Sequence, residues 1–243
     1  MIDHDVLVVG GGVAGLCAAM YTARAGMDTL VVDGGDSILR RNAHLENVPG
    51  FPAGVNSNTF LDLLSEQAET NGVERREGRV VDLTGEVGGF EATLAGGERL
   101  TAGRVVAASW SDADYLDGLG VTTRPAGSKE FVATDECGRT DVSGVYAAGR
   151  LAETEHQTVV VAGDGAEVGI AVVRDADVPF YHDWVVPEGY FTDRDREVPP
   201  GCEEIPAAER ERREVASLDA MRARLDGPHP GPQRTHPSLE GDE

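Results

Sequence analysis

Val6-Leu7-Val8-Val9-Gly10-Gly11-Gly12-Val13-Ala14-Gly15-Leu16-Cys17-Ala18-Ala19-Met20 holds the decision about the fold. Val6 to Val9 are continuously apolar and mostly β-branched, as in a strand buried on both faces. The glycines that follow open a helical pattern through Leu16, Ala19, Met20 and Ala23, which stops at Gly26. Thr29-Leu30-Val31-Val32-Asp33 is a second buried strand. Two fully apolar strands joined through a helix by short connections begin a doubly wound parallel sheet.

The glycines have separable physical reasons. Gly10 permits the tight turn, Gly12 removes a β-carbon so that backbone amides can approach a pyrophosphate, and Gly15 lets the helix pack closely on the strand. The helix N-terminus offers unpaired N–H groups and a positive dipole to an anion. Asp33 ends the second strand near the roughly 20-residue offset at which a carboxylate accepts hydrogen bonds from an adenosine ribose. Together these features predict a dinucleotide site, against the alternative of a tight turn that binds nothing. NAD and FAD use the same turn, so the motif leaves the choice between them open.

Outward from this unit, a second helix is expected from Asn58, as N-cap, to Asn71-Gly72. From Gly78 to Leu100 the period becomes alternating, with strands at 79–83 and 90–94, which predicts a β-meander. Strands follow at 105–108, 131–133 and 144–149, and a closing helix at Gly163 to Val173. The expected fold class is α/β, a Rossmann-like doubly wound parallel sheet with a β-meander crossover, plus an irregular C-terminal extension with one helix. The main domain is expected over residues 1–174, an aromatic and proline-rich extension with a helix over 175–226, and a disordered tail over 227–243. The extension's helix, Ala207 to Leu225, carries Val215, Leu218, Met221 and Leu225 on one face.

Composition narrows the function. Among 243 residues, 43 Asp and Glu against 21 Lys and Arg give a net charge of -22, which repels nucleic-acid phosphates and anionic membranes. Lys129 is the only lysine. Acidity with so little lysine is the pattern of a protein hydrated in concentrated salt, so the expectation is a halophilic, haloarchaeal cytoplasm. The three cysteines Cys17, Cys137 and Cys202 form no CxxC pair, which argues against a disulfide scaffold, a zinc knuckle or a thiol relay. No metal is expected. The acidic start lacks the positive region of a signal peptide, and the long uncharged run from Val6 to Ala23 is broken by glycines, so no membrane span is expected.

With the meander inserted after the first βαβ unit, the chain resembles the flavin domain of the thioredoxin reductase family over residues 1–174. Leu45-Glu46-Asn47-Val48-Pro49-Gly50-Phe51-Pro52 resembles the family's ENxPGFP segment, and Val105-Val106-Ala107-Ala108-Ser109-Trp110 stands at its strand ending Ala-Thr-Gly. Thr140 to Gly149 is similar to its TSVPGVFAAG segment, and His156-Gln157 falls on its Arg-Gln pair. The resemblance implies FAD as cofactor. It assigns the cofactor to Gly10, Gly12, Val13, Ala14, Gly15, Asp33 and Gly34 in the first unit, to Asn47, Val81 and Ala108, and to Gly149, Arg150, His156 and Gln157. It also implies a homodimer.

Three departures qualify it. The family's NADPH domain with its redox CxxC is absent, because Asp112 to Val121 follows Trp110 at once. Arg150 replaces an aspartate that serves the ribityl chain, and either pairs with the pyrophosphate or points to solvent. Trp110 replaces a glycine, and either stacks in the vacated space or packs a hinge. The expected function is therefore an FAD-dependent oxidoreductase that is not a competent thioredoxin reductase. Its electrons would come from a protein such as ferredoxin, from a small dithiol or quinol, or from NAD(P)H at the open face. The alternative is a non-catalytic FAD- or nucleotide-binding module or partner subunit.

Three further features need placing. Gly163, Gly165 and Gly169 taken alone read as a second nucleotide turn, although no second βαβ unit follows; the family role is a helix N-terminus facing the flavin. Phe180, Tyr181, Trp184, Tyr190 and Phe191 are expected to cover the flavin or a subunit interface, or else to cap the sheet. His182 among them is a weak candidate for proton transfer. Cys137 is assigned no chemistry, and Arg40-Arg41 reads as a cofactor contact or a solvated pair.

Overall fold

The computed structural model describes residues 2–127, 129–236 and 238. Its first half runs β1 (His4–Val9), α1 (Val13–Arg24), β2 (Thr29–Asp33), α2 (Ser57–Thr70), β3 (Glu74–Glu77), β4 (Val80–Thr84), β5 (Phe90–Leu94) and β6 (Arg99–Ala107). The remainder is β7 (Thr123–Ala126), β8 (Lys129–Val132), β9 (Val145–Ala147), α3 (Thr158–Asp175), β10 (Trp184–Pro187), β11 (Cys202–Ile205) and α4 (Ala207–Leu225).

The main sheet has the order β3-β2-β1-β6-β5-β4, and β9 also pairs with β6. The β3-β2, β2-β1, β1-β6 and β6-β9 pairs are parallel, whereas β6-β5 and β5-β4 are antiparallel. The long β6 divides its outer edge. Its first residues pair with β5 and its last, Val105–Ala107, with β9. The doubly wound sheet and the meander thus stand where the sequence places them.

Alternation inside the apolar strands explains the layers. Val6, Val8, Val31 and Val106 face a core shared with α1, α2 and α3. Leu7, Val9, Val32 and Val105 face a second core under the meander, with Phe90, Leu83 and Leu116. Both faces being covered, Val6–Val9 of β1 has no polar side and reads as a continuous hydrophobic run.

The structure corrects two helix boundaries. Asn56, not Asn58, caps α2: its Oδ1 accepts from the N–H groups of Asn58 (2.9 Å) and Thr59 (3.2 Å), and Asn58 lies buried in the first turn. α3 starts at Thr158 rather than Gly163. A glycine inside a helix costs about 1 kcal/mol relative to alanine, which packing of a long helix readily outweighs.

The expected flavin cover is also corrected. Residues 178–202 line no part of the main cleft. Phe180 packs on the helix-side core, and Asp183 pairs with Arg24 in the last turn of α1. The cause is the direction of the chain: it leaves α3 at Asp175, about 26 Å along the helix from Thr158. β10 and β11 form a parallel pair within this segment. Residues 229–234 return to the main domain, where His229 Nε2 lies 3.1 Å from Asp62 and Arg234 donates to Gly35 O at 3.0 Å. The part of the expected disordered tail at 237 and 239–243 lies outside the described residues.

Asp175 ties the far end of α3 to the sheet. Its Oδ2 accepts from Tyr146 Oη at 2.8 Å and from Arg139 Nε at 2.6 Å, while Oδ1 accepts from Arg139 Nη2 at 2.9 Å. Arg139, then Tyr146, hold this carboxyl below its usual range despite partial burial. A depressed carboxylate stabilises the fold above its unfolded pKa, and that contribution disappears as pH falls through the folded value. Asp175→Asn is expected to destabilise the protein by about 1–2 kcal/mol at neutral pH, solvent exposure keeping the effect modest. Urea melts of both proteins should converge as pH falls below about 4.

Candidate functional site

The carboxyl ends of β1, β2, β6 and β9 open into one cleft of about 1440 Å³. It stands where the chain, having laid β2 and β3 on one side of β1, returns to β6 on the other, the position at which open parallel sheets bind ligands. The volume exceeds the ~300–1,000 Å³ of ordinary small-molecule sites and suits an extended ligand.

Each glycine of the first turn has its own constraint. Gly10 sits at φ +112°, in the left-handed region, with its N–H on Val32 O at 2.8 Å. A Cβ on Gly11 would strike the Asp33 carboxylate. On Gly15 it would meet Gly10 O and come within 3.2 Å of Val8 Cγ1, so this glycine serves helix-to-strand packing. Gly12 differs. A Cβ there would find only Ser37 Oγ, at 3.7 Å.

The three helices packed on the main sheet differ in how their N-termini are capped. α2 is capped by the Asn56 side chain, whereas α1, entered from Gly12, and α3, entered from Gln157, have no side-chain cap and no acid in the first turn. Both uncapped ends border the cleft, so two sets of backbone N–H groups and two positive dipole ends converge there. Asn47 Nδ2 donates to Gln157 Oε1 at 2.9 Å and fixes the α3 end to the 45–55 loop. Asp33 closes the other end, its Oδ1 accepting from Gly35 N at 3.0 Å and its Oδ2 3.8 Å from Arg75 Nη2.

The wall after β6 is built around Trp110. Its φ is +66°, the conformation a glycine would adopt without strain. Its ring meets His156 edge-to-face with centroids 4.5 Å apart, and Lys129 Nζ stands 5.3 Å from its centroid. The Arg150 guanidinium lies 4.8 Å over Phe131. Burial, then Arg150 and Lys129, lower the proton affinity of His156. Ser109 Oγ, 2.9 Å from Tyr115 Oη, fastens the turn to a phenol whose pKa burial raises. Asp164 is pushed up by burial although it accepts from Gly149 N at 2.5 Å.

Gly10, Gly12, Val13, Ala14, Asp33 and Gly34 line the cleft, as do Asn47, Val81 and Ala108 and the group Gly149, Arg150, His156 and Gln157. Gly15 lies beneath it. His182 is elsewhere, its ring 4.2 Å from Tyr181, so it has no part in this site. Arg40 pairs with Asp62 at 3.3 Å, while Arg41 reaches the cleft. His44, Arg79 and Tyr115 also line it without having been anticipated. Trp110 had a signal, being a bulky residue where the resembling family has glycine. Gly163, Gly165 and Gly169 all lie inside α3, which removes the second nucleotide turn. Among the described residues no group of three His, Cys, Asp or Glu side chains is placed to hold a metal, and no helix is long and apolar enough to cross a membrane.

Residues 4–166 match the family model described as pyridine nucleotide-disulphide oxidoreductase. The thioredoxin reductase of Aquifex aeolicus is 40% identical over 80 residues, which is 32% of this chain and 25% of that protein. That of Mycolicibacterium smegmatis is 32% identical over 130 residues, covering 49% and 42% respectively. The chain spans about a quarter of the length of the first curated relatives it matches, 25% and 28%. Among solved structures, a thioredoxin reductase from Gloeobacter violaceus shares the fold with a TM-score of 0.67 at 19% identity, over 73% of this chain and 96% of that one.

Proposed function

The chain belongs to the pyridine nucleotide-disulphide oxidoreductase family, and we propose that it is an FAD-dependent oxidoreductase of the thioredoxin reductase type that works without a redox dithiol of its own. The observation that carries this reading is Gly12. Protein packing leaves its side-chain space open to 3.7 Å, beside a helix end that no side chain caps. A pyrophosphate accounts for both.

The remaining residues fit the same cofactor. The α1 N–H groups would hold the pyrophosphate and Asp33 the adenosine ribose hydroxyls. The α3 N-terminus, with Gln157 steadied by Asn47, would hold the polar edge of the flavin ring. Bound flavin supplies the capacity to accept and pass on electrons. The protein's part is to bind and orient it and to set the electrostatics of the cleft. Burial and the neighbouring cations lower the proton affinity of His156 and so favour its neutral form there.

Disulfide chemistry does not suit the cysteines. Cys17, Cys137 and Cys202 are unpaired, and burial pushes the Cys17 thiol up to about 12. Reduction of the flavin would then come from a protein donor such as ferredoxin, from a small dithiol or quinol, or from NAD(P)H at the open face. A homodimer in a salt-rich cytoplasm completes the proposal. The same lack of a thiol pair favours, as a second reading, a flavin-binding module without turnover.

A visible spectrum of protein purified in molar potassium chloride, before and after anaerobic NADH or NADPH, tests the proposal. A flavin band that bleaches is expected if the open face admits NAD(P)H. A stable band points to a protein or thiol donor, and reduction by ferredoxin or dithiothreitol then separates the oxidoreductase from the module. A colourless protein that takes up no added FAD defeats both readings.

A further inference from the structure

We infer that the end of the cleft lined by Trp110, His156 and Arg150, with Lys129 against the Trp110 ring, is a second binding site, for a small organic anion presenting a carboxylate or phosphate group. The inference rests on the FAD reading in one respect: it takes the glycine-turn end of the cleft as the cofactor's.

Charge is the first argument. In a chain of net charge -22, carboxylates are abundant enough to occupy most arginines; Arg24, Arg40, Arg76, Arg79, Arg124 and Arg139 are all ion-paired. Lys129, the only lysine, and Arg150 are different. Among the described residues the contacts found for them are aromatic faces, Trp110 at 5.3 Å and Phe131 at 4.8 Å. The acids closest in sequence are engaged elsewhere, Glu130 by Thr123 and Glu153 by Arg124. His156 feels both cations and no carboxylate. Two half-buried cations are thus held on aromatic faces with no carboxylate partner found among the described residues, Arg150 lining the cleft and Lys129 against a ring that lines it. An anion entering there gains ion pairs in a medium less polar than water.

Backbone strain is the second. A tryptophan at φ +66° sits in the left-handed region, which L-residues other than asparagine and aspartate rarely adopt. Strain of this kind persists where the surroundings hold it. Here the His156 ring and Lys129 do so, and the result is an aromatic wall at this end of the cleft. The cleft volume of about 1440 Å³ leaves room for a small molecule beside an extended cofactor.

The test is equilibrium dialysis of radiolabelled benzoate against FAD-saturated protein. Saturable binding is expected, with the dissociation constant raised about tenfold or more in Lys129→Gln and in Arg150→Gln. Lys129→Arg should retain binding, and each variant's melting curve verifies that it is folded. Neutral benzamide should not displace benzoate. Displacement by inorganic phosphate would identify phosphate-bearing ligands as the better fit, and its failure would identify carboxylates. Absence of saturable binding, equal affinity in the charge-removing variants, or expulsion of benzoate by FAD would overturn the inference; the last outcome would assign these cations to the cofactor. If the protein takes up no FAD, the cofactor reading fails by itself, and benzoate uptake by the unloaded chain still decides the anion site.

Discussion

Gly12→Ala is expected to weaken FAD binding by about 100-fold or more, roughly 2.7 kcal/mol, while leaving the melting temperature within about 2 °C of the parent. The two halves of this expectation have different origins. Gly12 has an extended backbone, φ -79° and ψ -175°, which alanine adopts freely, and its new methyl group would meet only Ser37 Oγ at 3.7 Å. The protein alone therefore has no need of a glycine there. A pyrophosphate lying on the α1 N–H groups does need one, because the methyl group would stand between backbone and phosphate. Gly15→Ala makes the contrast. Its methyl group would run into Gly10 O, so that substitution should lower stability and cofactor retention together. Flavin fluorescence titration and circular-dichroism melts separate the cases, and native FAD affinity in Gly12→Ala would mean that no phosphate approaches this turn.

The second large effect belongs to the face that α3 presents to α1. Gly165→Val is expected to lower the melting temperature by about 6–12 °C, the consequence of roughly 3 kcal/mol of overpacking in a chain of this size. A Cβ at Gly165 would collide with the Ala14 carbonyl, and one at Gly169 would lie 2.6 Å from Ala18 O. These two glycines let the helix backbones approach closely. Gly163 has open space where its Cβ would be, so Gly163→Ala should melt within about 2 °C of the parent or slightly higher, since alanine is the better helix former. Should Gly165→Val instead keep its melting temperature and lose a bound nucleotide, the second-turn interpretation of these glycines would return.

What the sequence discloses depends on how local the cause is. β1, the glycine turn and α1 are readable because apolar run, tight turn and helix periodicity adjoin one another. β3 is not. Glu74-Arg75-Arg76-Glu77 has no apolar residue, and it becomes a strand because it pairs with the buried β2 along the sheet edge while Arg75 and Arg76 take Glu69, Glu74 and Glu98 as partners. The aromatic segment 180–191 advertises burial, yet Tyr181, Trp184 and Tyr190 are exposed and only Phe180 and Phe191 pack inward, because the chain emerges from the end of α3 remote from the cleft. Cofactor positions inherited from a resembling motif mostly reach the cleft. The two cations do not show in sequence, because Lys129 and Arg150 each lie against an aromatic ring supplied by another part of the chain, Trp110 and Phe131.

The pairing of β6 with β9 has a kinetic meaning. Val105–Ala107 joins Val145–Ala147 across about 40 intervening residues. Loop closure grows by about 0.6 kcal/mol for each doubling of length, so a connection four times longer would add about 1.2 kcal/mol to the entropy lost in forming that strand pair. With the short path from Trp110 through Tyr115, the last parallel strand can zip onto β6 as soon as it leaves the ribosome. The wall of the cleft after β6 is then laid down soon after β6 itself, while the β1 wall waits for the longer-range pairing of Val6–Val9 with Arg104–Ala107.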